Sequence, residues 1–230
     1  MAWCRPWHRR RAADSVEREH KHPFPQRLYL MRHGDCRSDQ INRFIGQKDV
    51  PLNQEGLAAA RAWQAILSTK GLGRVYCSDL ARSLDTARII TKESPRPPEV
   101  LPALREVDLG KWEGLSVAQV REWFPREYEE RGRDLGHFHP PGGESFSDLR
   151  DRVVPAFEQI VVRMEGPVLI VGHAGVNRVI LCHVLGMPLV LLFRIEQPYG
   201  ALSVLICEDG SEIRVEALNL LPDGSQGGML

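Results

Sequence analysis

The 230-residue sequence lacks a surplus of charge of either sign, because 30 basic and 30 acidic side chains cancel to a formal net charge of zero. Proteins that bind nucleic acids or anionic membrane surfaces usually carry an excess of positive charge. The balanced composition therefore favours a small-molecule partner, with no nucleic acid and no membrane. The sequence also lacks an apolar run of the roughly 20 residues that cross a bilayer, and it has no signal-peptide segment near Met1. We therefore expect a soluble cytoplasmic protein.

Cysteine is scarce, with five residues, and no two of them have the CxxC spacing of a zinc or redox motif. An odd number without pairing argues against a disulfide framework and against a zinc site, so we expect reduced thiols. The closely spaced pairs His20 with His22 and His137 with His139 lack a third ligand at metal-binding spacing. The sequence therefore predicts no metal and no cofactor.

The length fits one large α/β domain or two small ones, and we favour one, with different composition at the amino terminus. Residues 1–26 are basic and proline-rich and have no apolar period, which predicts a disordered basic tail. The basic run at residues 9–11 has an alternative interpretation as a targeting or nucleic-acid element, although such short runs are mostly solvated. We expect the folded domain over residues 27–218 and a flexible tail over residues 219–230.

Two apolar strands that each end in a histidine are the most informative feature present. Residues 28–34 run from an apolar stretch into Arg32, His33 and a glycine, and residues 168–175 run into His173 and two small residues. The carboxyl ends of neighbouring parallel strands lie at the same edge of a sheet. We therefore expect the two histidines to face one site.

Strand and helix patterns alternate along the rest of the chain. Asn53 is a predicted helix N-cap, and Ser116 and Ser145 each begin a predicted capping box, the first on a helix that ends before Pro125. The sequence closes with a predicted hairpin over residues 202–218. This pattern predicts a three-layer α/β/α sandwich with a mostly parallel central sheet.

Besides Arg32, His33 and His173, the sequence places a fourth polar residue, Arg82, near the strand ends. Residues 74–77 form a predicted strand, and Ser78 or Asp79 is the predicted N-cap of the next helix, which places Arg82 in its first turn. The amino end of a helix is a ready anion site, and the planar guanidinium of arginine suits phosphate. Arg82 is therefore a candidate phosphate ligand.

Six ordered motifs together resemble the histidine phosphatase superfamily, over about residues 27–218. They are Arg32-His33-Gly34, Arg43-Phe44-Ile45-Gly46, Pro51-Leu52-Asn53-Gln54-Glu55-Gly56, Cys77-Ser78-Asp79-Leu80-Ala81-Arg82-Ser83, Arg105-Glu106 with Gly110-Lys111-Trp112-Glu113-Gly114, and Gly172-His173-Ala174-Gly175. Within it, Pro141-Gly142-Gly143-Glu144-Ser145 and Arg194-Ile195-Glu196-Gln197-Pro198-Tyr199-Gly200 are similar to the α-ribazole phosphatase branch. The resemblance implies the fold of phosphoglycerate mutase.

The resemblance also implies a mechanism. His33 attacks phosphorus and forms a phosphohistidine, with the proton on its other ring nitrogen held by a backbone carbonyl. Arg32, Arg82 and His173 surround the phosphoryl oxygens and neutralise their charge. Glu106 matches the family's proton donor to the leaving alkoxide.

The sequence departs from the family pattern after the histidine. Asp35-Cys36 stands where the family often has glutamate and threonine, and Asp39 stands where it has a phosphate-binding asparagine. An inward-facing carboxylate there repels a phosphate, so either Asp39 points away or Asn42 takes its place. By the resemblance, Asn42 and Gly46 are the remaining candidate phosphate ligands.

The residues and the resemblance together predict a phosphomonoesterase that acts on a small phosphorylated metabolite. The resemblance to one branch implies α-ribazole 5′-phosphate of cobalamin biosynthesis as the candidate substrate. A phosphoglycerate mutase is the alternative enzyme, but mutases of the family carry a longer insertion between the acid and the second histidine. A non-catalytic phosphate-binding or regulatory module is the alternative outside catalysis. The oligomeric state stays open, with a homodimer as one option.

Overall fold

A computed structural model describes residues 25–39, 41–208 and 212–225 of the chain, so nearly all of the predicted basic tail lies outside the described residues. The strands are β1 (Gln26–Arg32), β2 (Arg74–Cys77), β3 (Glu99–Val100), β4 (Val168–Gly172), β5 (Leu202–Cys207) and β6 (Ile213–Leu220). The α-helices are α1 (Gln54–Leu67), α2 (Ala81–Ile90), α3 (Val117–Trp123), α4 (Pro125–Arg133), α5 (Phe146–Val162) and α6 (Ala174–Leu185).

The strands form one sheet in the order β3-β2-β4-β1-β5-β6. The four strands β1, β2, β3 and β4 are parallel to one another. β5 pairs antiparallel with β1, and β6 pairs antiparallel with β5. β1 and β4 lie side by side with Arg32 opposite Gly172, so the two strands end at the same level. The predicted mostly parallel sheet and the predicted adjacency of the two histidine strands are confirmed.

Each face of the sheet is covered by a pair of helices, which makes the predicted three layers. On one face, alternate strand residues such as Leu28 and Leu30 pack with α5 and α6. On the other face, Tyr29 and Met31 pack with α1 and α2. Because the central strands are buried on both faces, their sequences are continuously apolar rather than alternating. In the described part of the chain, no helix has the length and apolar composition required to cross a bilayer.

The predicted caps of α1, α3 and α5 are confirmed. The Asn53 side chain accepts a hydrogen bond from the backbone N–H of Gly56. Ser116 and Ser145 each form a complete capping box with the residue three positions later. These contacts are local, so the spacing of a few residues is enough to predict them.

The predicted cap of α2 is wrong, and α4 was not predicted. Leu80 occupies the N-cap position of α2 without a side-chain bond, while the first N–H of the helix, on Ala81, donates to the Asp49 carboxylate at 2.8 Å. This cap therefore comes from a distant loop.

Pro125 follows the end of α3 and is also the first residue of α4, a position where proline costs no hydrogen bond. α4 has no buried residue and so lacks the apolar stripe that predicts a helix.

The ordered sheet extends slightly beyond the predicted limits of 27 and 218. Gln26 already belongs to β1 and is buried, with its side-chain oxygen accepting from the Gly166 N–H at 3.1 Å. Asn219 belongs to β6, and its side chain bonds to the carbonyl of Glu196 and to the side chain of Gln197. Both predicted limits miss polar residues that are buried only through contacts distant in sequence.

Candidate active site

His33 and His173 meet where β1 and β4 end. Both side chains are buried, and their ring centroids lie 5.0 Å apart in an edge-to-face arrangement. The backbone N–H of His33 also donates to the carbonyl of Gly172 at 3.1 Å, which connects the two strand ends. The parallel register therefore produces the shared site that the sequence predicts.

The hydrogen bonds of His33 define its tautomer. Nδ1 lies 2.7 Å from the carbonyl oxygen of Gly34. A carbonyl oxygen only accepts, so Nδ1 carries the proton and Nε2 keeps its lone pair. That nitrogen accepts from Nε of Arg82 at 3.2 Å. His33 is thus arranged to present a nucleophilic nitrogen toward a positive charge.

The side chain of Arg82 is held in place by His33 and by the loop that follows β1. Besides the bond to His33, Nη1 donates to the carbonyl of Lys48 at 2.8 Å and Nη2 to that of Gly46 at 2.5 Å. The residue lies in the first turn of α2, as predicted, and is only 1% exposed. A buried guanidinium with three fixed contacts supplies positive charge without reorganisation.

Arg32 completes the positive charge around His33. Its Nη1 donates to the carbonyl of Gln197, and its guanidinium carbon lies 3.5 Å from the ring centroid of Tyr199. Its Nε is buried without a hydrogen-bond partner among the described residues. We call Arg32, His33, Arg82 and His173 the strand-end cluster.

Burial and the neighbouring charges keep both imidazoles neutral. Burial, followed by the charges of Arg32 and Arg82, holds the pKa of His33 well below its usual value. Burial also holds the pKa of His173 well below its usual value, and its neighbours in the strand-end cluster add to that effect. A neutral imidazole is the form that attacks phosphorus.

His173 is oriented by one side chain, from the start of the segment that leads into α2. Its Nε2 lies 2.7 Å from the hydroxyl oxygen of Ser78. Within the described ranges, its Nδ1 is buried without a partner. The same Ser78 oxygen accepts from the Leu80 N–H at 3.4 Å, but α2 begins only at Ala81, so Ser78 is not the helix cap that its sequence position suggests.

The side chain of Glu106 is buried and held by two backbone N–H groups. Oε2 accepts from Gly175 at 2.9 Å, in the first turn of α6, and Oε1 accepts from Val107 at 2.9 Å. A Cβ atom on Gly175 would collide with Oε1, so glycine is required for this close approach. The strand end that carries His173 therefore also positions Glu106.

Arg152 of α5 holds the backbone around Glu106 through hydrogen bonds to three carbonyl groups. Its guanidinium donates to the carbonyls of Ala103, Arg105 and Glu106 at 2.7 to 2.9 Å. It also forms a bidentate pair with the Glu144 carboxylate, at 2.9 and 2.8 Å. Sequence reasoning missed Arg152, because nothing local distinguishes it from the other arginines of an amphipathic helix.

A cavity of about 210 Å³ is lined by Arg32 of the strand-end cluster and by Glu106. Its remaining walls are mainly aromatic, aliphatic and basic; the residues that line it are Arg32, Arg43, Phe44, Ile45, Glu106, Val107, Leu109, Arg131, Leu135, Phe138, Pro140, Glu144, Phe146, Ala174, Gly175, Arg178, Phe193 and Tyr199. The cavity therefore combines Arg32 and Glu106 with aromatic and aliphatic walls that suit an organic group.

Comparison with known proteins agrees with this geometry. The family model of the histidine phosphatase superfamily (branch 1) matches residues 28–220, which is most of the chain. The chain belongs to the histidine phosphatase superfamily. It is 30% identical over 197 residues to the adenosylcobalamin/alpha-ribazole phosphatase of Salmonella typhimurium, covering 82% of this chain and 95% of that protein.

Solved histidine phosphatases share the fold. The alpha-ribazole phosphatase of Shigella flexneri superposes with a TM-score of 0.78 at 25% identity, covering 84% of this chain and 96% of that one. A mycobacterial glucosyl-3-phosphoglycerate phosphatase, solved with VO3, superposes with a TM-score of 0.75 at 26% identity, covering 84% and 98%. The predicted family, fold and phosphatase class are therefore confirmed.

Two of the predicted phosphate ligands, Asn42 and Gly46, lie in the loop after β1 and already make hydrogen bonds within the protein. Gly46 is buried, but its N–H already donates to the Glu113 carboxylate at 3.0 Å while its carbonyl holds Arg82. Asn42 is exposed, and its backbone oxygen accepts from the Val117 N–H at 3.4 Å. Phosphate binding by Gly46 and Asn42 stays a prediction.

Asp39 lies on the surface of this loop rather than in the site. Its carboxylate accepts from Arg43 at 2.9 Å and from the N–H of Ile41 at 3.0 Å. The departure from the family's asparagine is therefore accommodated by an outward side chain, one of the two options that the sequence left open.

Tyr199 is a further site residue to which sequence reasoning assigned no role. Its ring centroid lies 5.6 Å from that of His33, and its ring supports Arg32. The only available signal was its place in a motif shared with one branch of the family.

Across the described ranges, no group of three His, Cys, Asp or Glu side chains is arranged to hold a metal ion.

Proposed function

We propose that this histidine phosphatase hydrolyses a phosphomonoester through a phosphohistidine on Nε2 of His33. The observation that carries the proposal is the bond from Nδ1 to the Gly34 carbonyl, which leaves Nε2 unprotonated beside Arg82. Arg32 and His173 flank the same position, and both have a buried nitrogen without a protein partner in the described part of the chain. These groups suit the oxygens of a transferring phosphoryl group.

The first half of the reaction transfers the phosphoryl group to the enzyme. The Nε2 lone pair forms the P–N bond while the bond between phosphorus and the leaving oxygen breaks. Glu106, as the carboxylic acid, donates its proton to that oxygen, so the product leaves as an alcohol. The rigid hold of two N–H groups on Glu106 supports this role, because proton transfer depends on position.

The second half returns the enzyme to its starting state. A water molecule attacks phosphorus, the P–N bond breaks, and its electrons return to Nε2. The Glu106 carboxylate takes the proton that the water loses, and inorganic phosphate leaves. Each residue of the strand-end cluster is then ready for another turnover.

The variant His33→Ala tests the proposal. We expect a loss of several orders of magnitude in kcat, on the order of 10⁴-fold or more, because covalent catalysis disappears. The far-UV spectrum and Tm should stay close to those of the parent protein. His183→Ala, which replaces a partly exposed histidine of α6, is the matched control and should keep full activity. Near-parental turnover by the His33 variant contradicts the proposal.

For the substrate, we propose a small phosphate ester and keep α-ribazole 5′-phosphate as the first candidate. The names of similar phosphatases support it, and they equally supply glucosyl-3-phosphoglycerate as a second candidate. A panel of these two esters with 3-phosphoglycerate tests the choice, and phosphoryl transfer without release of phosphate on the last would favour a mutase. A cytoplasmic location and a homodimer stay predictions.

A further inference from the structure

Glu113 has no part in the proposed reaction, yet its half-buried carboxylate collects an unusual number of backbone hydrogen bonds. It accepts from the N–H groups of Gly46 at 3.0 Å, Gln47 at 2.7 Å, Lys48 at 3.3 Å and Leu109 at 3.3 Å. Three of these four donors are consecutive residues of the loop after β1, which we call loop 46–48. One side chain, distant in sequence, therefore holds the whole of that short loop.

Loop 46–48 in turn holds Arg82 of the strand-end cluster. Arg82 makes its three hydrogen bonds to neutral acceptors. Two of these acceptors are the carbonyls of Gly46 and Lys48, at 2.5 and 2.8 Å, and the third is Nε2 of His33 at 3.2 Å. The position of the guanidinium beside His33 therefore depends on the position of the loop.

A single peptide unit connects Glu113 with Arg82. The N–H of Gln47 donates to Oε1 of Glu113, and the carbonyl of the same peptide unit, on Gly46, accepts from Nη2 of Arg82. Because a trans peptide unit is planar and its N–H and C=O point in opposite directions, the carboxylate orients the carbonyl toward the guanidinium. Hydrogen bonds in such a chain polarise one another. The negative charge of Glu113 thus stabilises Arg82 without contact between the two side chains.

The loop is closed tightly on Glu113 and is also connected to the helix that carries Arg82. A Cβ atom on Gly46 would collide with Oε1 of Glu113 and with the carbonyl of Val107, so this close approach requires glycine. The next residue along the loop, Asp49, accepts from the N–H of Ala81, which directly precedes Arg82. The loop therefore fixes both the side chain of Arg82 and the start of its helix.

The indirect connection suits an arginine that must bind a phosphoryl group. A carboxylate in direct contact with the guanidinium would compete with the phosphoryl oxygens for its N–H groups and its charge. A carboxylate one peptide unit away holds the guanidinium and leaves Nε of Arg82 at His33. Charge that is fixed before the reaction requires no reorganisation during it.

We propose that Glu113 is a positioning residue for phosphoryl transfer, which fixes Arg82 beside His33 through loop 46–48. This inference rests on the proposed phosphomonoesterase reaction and adds a residue from outside the strand-end cluster. It predicts that the effect of Glu113 on turnover passes through Arg82. A side chain that only stabilised the fold would affect turnover equally whether or not Arg82 is present.

A double-mutant cycle tests this dependence. Glu113→Gln removes the charge and keeps the size of the side chain, and kcat/KM should fall about 10- to 100-fold, the usual range for a hydrogen bond to a charged group. The fall should be the same on benzyl phosphate and on p-nitrophenyl phosphate, because Arg82 acts on the phosphoryl group that both esters share. In the Arg82→Met background, Glu113→Gln should cost less than about threefold. Glu122→Gln, on the exposed side of α3, is the matched control.

A second variant keeps the cycle informative if glutamine disturbs folding. Glu113→Asp retains the carboxylate on a shorter side chain, so its loss on both esters should be smaller than that of Glu113→Gln. Far-UV spectra and Tm show which variants are folded. Where Glu113→Gln does not fold, the cycle of Glu113→Asp with Arg82→Met decides by the same comparison.

The possible failures are distinguishable. Equal losses with and without Arg82 overturn the inference, and so does a loss confined to benzyl phosphate, which would place the effect at the proton donor Glu106. If the parent protein hydrolyses neither ester, the proposed reaction fails, and calorimetric binding of inorganic phosphate decides the inference. Weaker binding in Glu113→Gln, with no further weakening when it is added to Arg82→Met, supports it; unchanged binding in Glu113→Gln overturns it.

Discussion

The strand-end cluster and Arg131, which lies on the cavity wall, differ in how the protein satisfies their polar groups. Arg82 makes three hydrogen bonds, whereas the Arg131 guanidinium has none within the described residues and lies over the rings of Phe44 and Phe193. Arg82 is therefore fixed by polar contacts of the protein before substrate arrives, and Arg131 is held by packing. Changes to the cluster and to the contacts that fix it should therefore affect every substrate, and changes at Glu106 and along the cavity wall should depend on the leaving group.

The largest leaving-group effect is expected for Glu106→Gln. Glutamine keeps the size of the side chain but donates no proton, so alkyl phosphates should slow by about 10²- to 10⁴-fold. p-Nitrophenyl phosphate should slow much less, because its phenolate leaves without protonation. Steady-state kcat for the two esters is the measurement, with Glu122→Gln on the exposed side of α3 as the control. Equal losses on both esters would remove Glu106 from the acid role.

A large effect without leaving-group dependence is expected for Arg82→Met. Loss of the fixed charge beside His33 should lower kcat/KM by roughly 10²- to 10³-fold on alkyl and aryl esters alike, the usual value of one preorganised electrostatic contact. Arg88→Met, on the exposed side of the same helix, should leave turnover unchanged. A loss confined to one class of ester would contradict the assignment of Arg82 to the phosphoryl group beside His33.

Arg152→Lys should give a smaller loss with the same leaving-group dependence as Glu106. Lysine keeps the charge but lacks the fork that reaches the three carbonyls and Glu144, so Glu106 loses part of its alignment. We expect kcat on alkyl phosphates to fall on the order of 10-fold, with p-nitrophenyl phosphate nearly unaffected. Arg150→Lys, an exposed position on α5, is the control. Parallel losses on both esters, with a lower Tm, would show that Arg152 supports only the fold.

The smallest effect concerns the acid side of the pH profile. Because burial and two arginines lower the pKa of His33, its neutral form persists to lower pH, and kcat/KM should hold as the pH falls through about 6.5. Arg82→Met removes one cause of that shift, so its acid limb should move to higher pH. Profiles corrected for ionisation of p-nitrophenyl phosphate measure this. An acid limb already centred near 6.5 in the parent enzyme contradicts the assigned neutral state.

What the sequence predicts depends on whether a contact is local. His33 and His173 end apolar strands, and Asn53 caps its own helix, so spacing alone was sufficient for all three. The prediction that Ser78 or Asp79 caps α2 was wrong. The first N–H of α2 donates to Asp49, which belongs to a distant loop, and Ser78 contacts His173. No local pattern records such contacts.

The cavity wall formed by α4 and α6 was least predictable for the same reason. α4 is short, charged and without buried residues, so it has no apolar period. Arg131 reaches Phe193 across a separation of about 60 positions in sequence, and Arg178 meets the same ring from another helix. Arg152 likewise could not be found from the sequence, because the three backbone carbonyls to which it donates are more than 40 positions away in the chain.

The central claim is that His33 accepts the phosphoryl group, and trapping the phosphoenzyme tests it most directly. The parent enzyme, mixed with a phosphate-labelled ester and quenched within milliseconds, should carry an acid-labile, base-stable label on one peptide containing His33. The label should decay at the rate at which phosphate is released. Label on a different residue, or turnover at the parental rate with no labelled protein under conditions that slow the second step, would contradict the account.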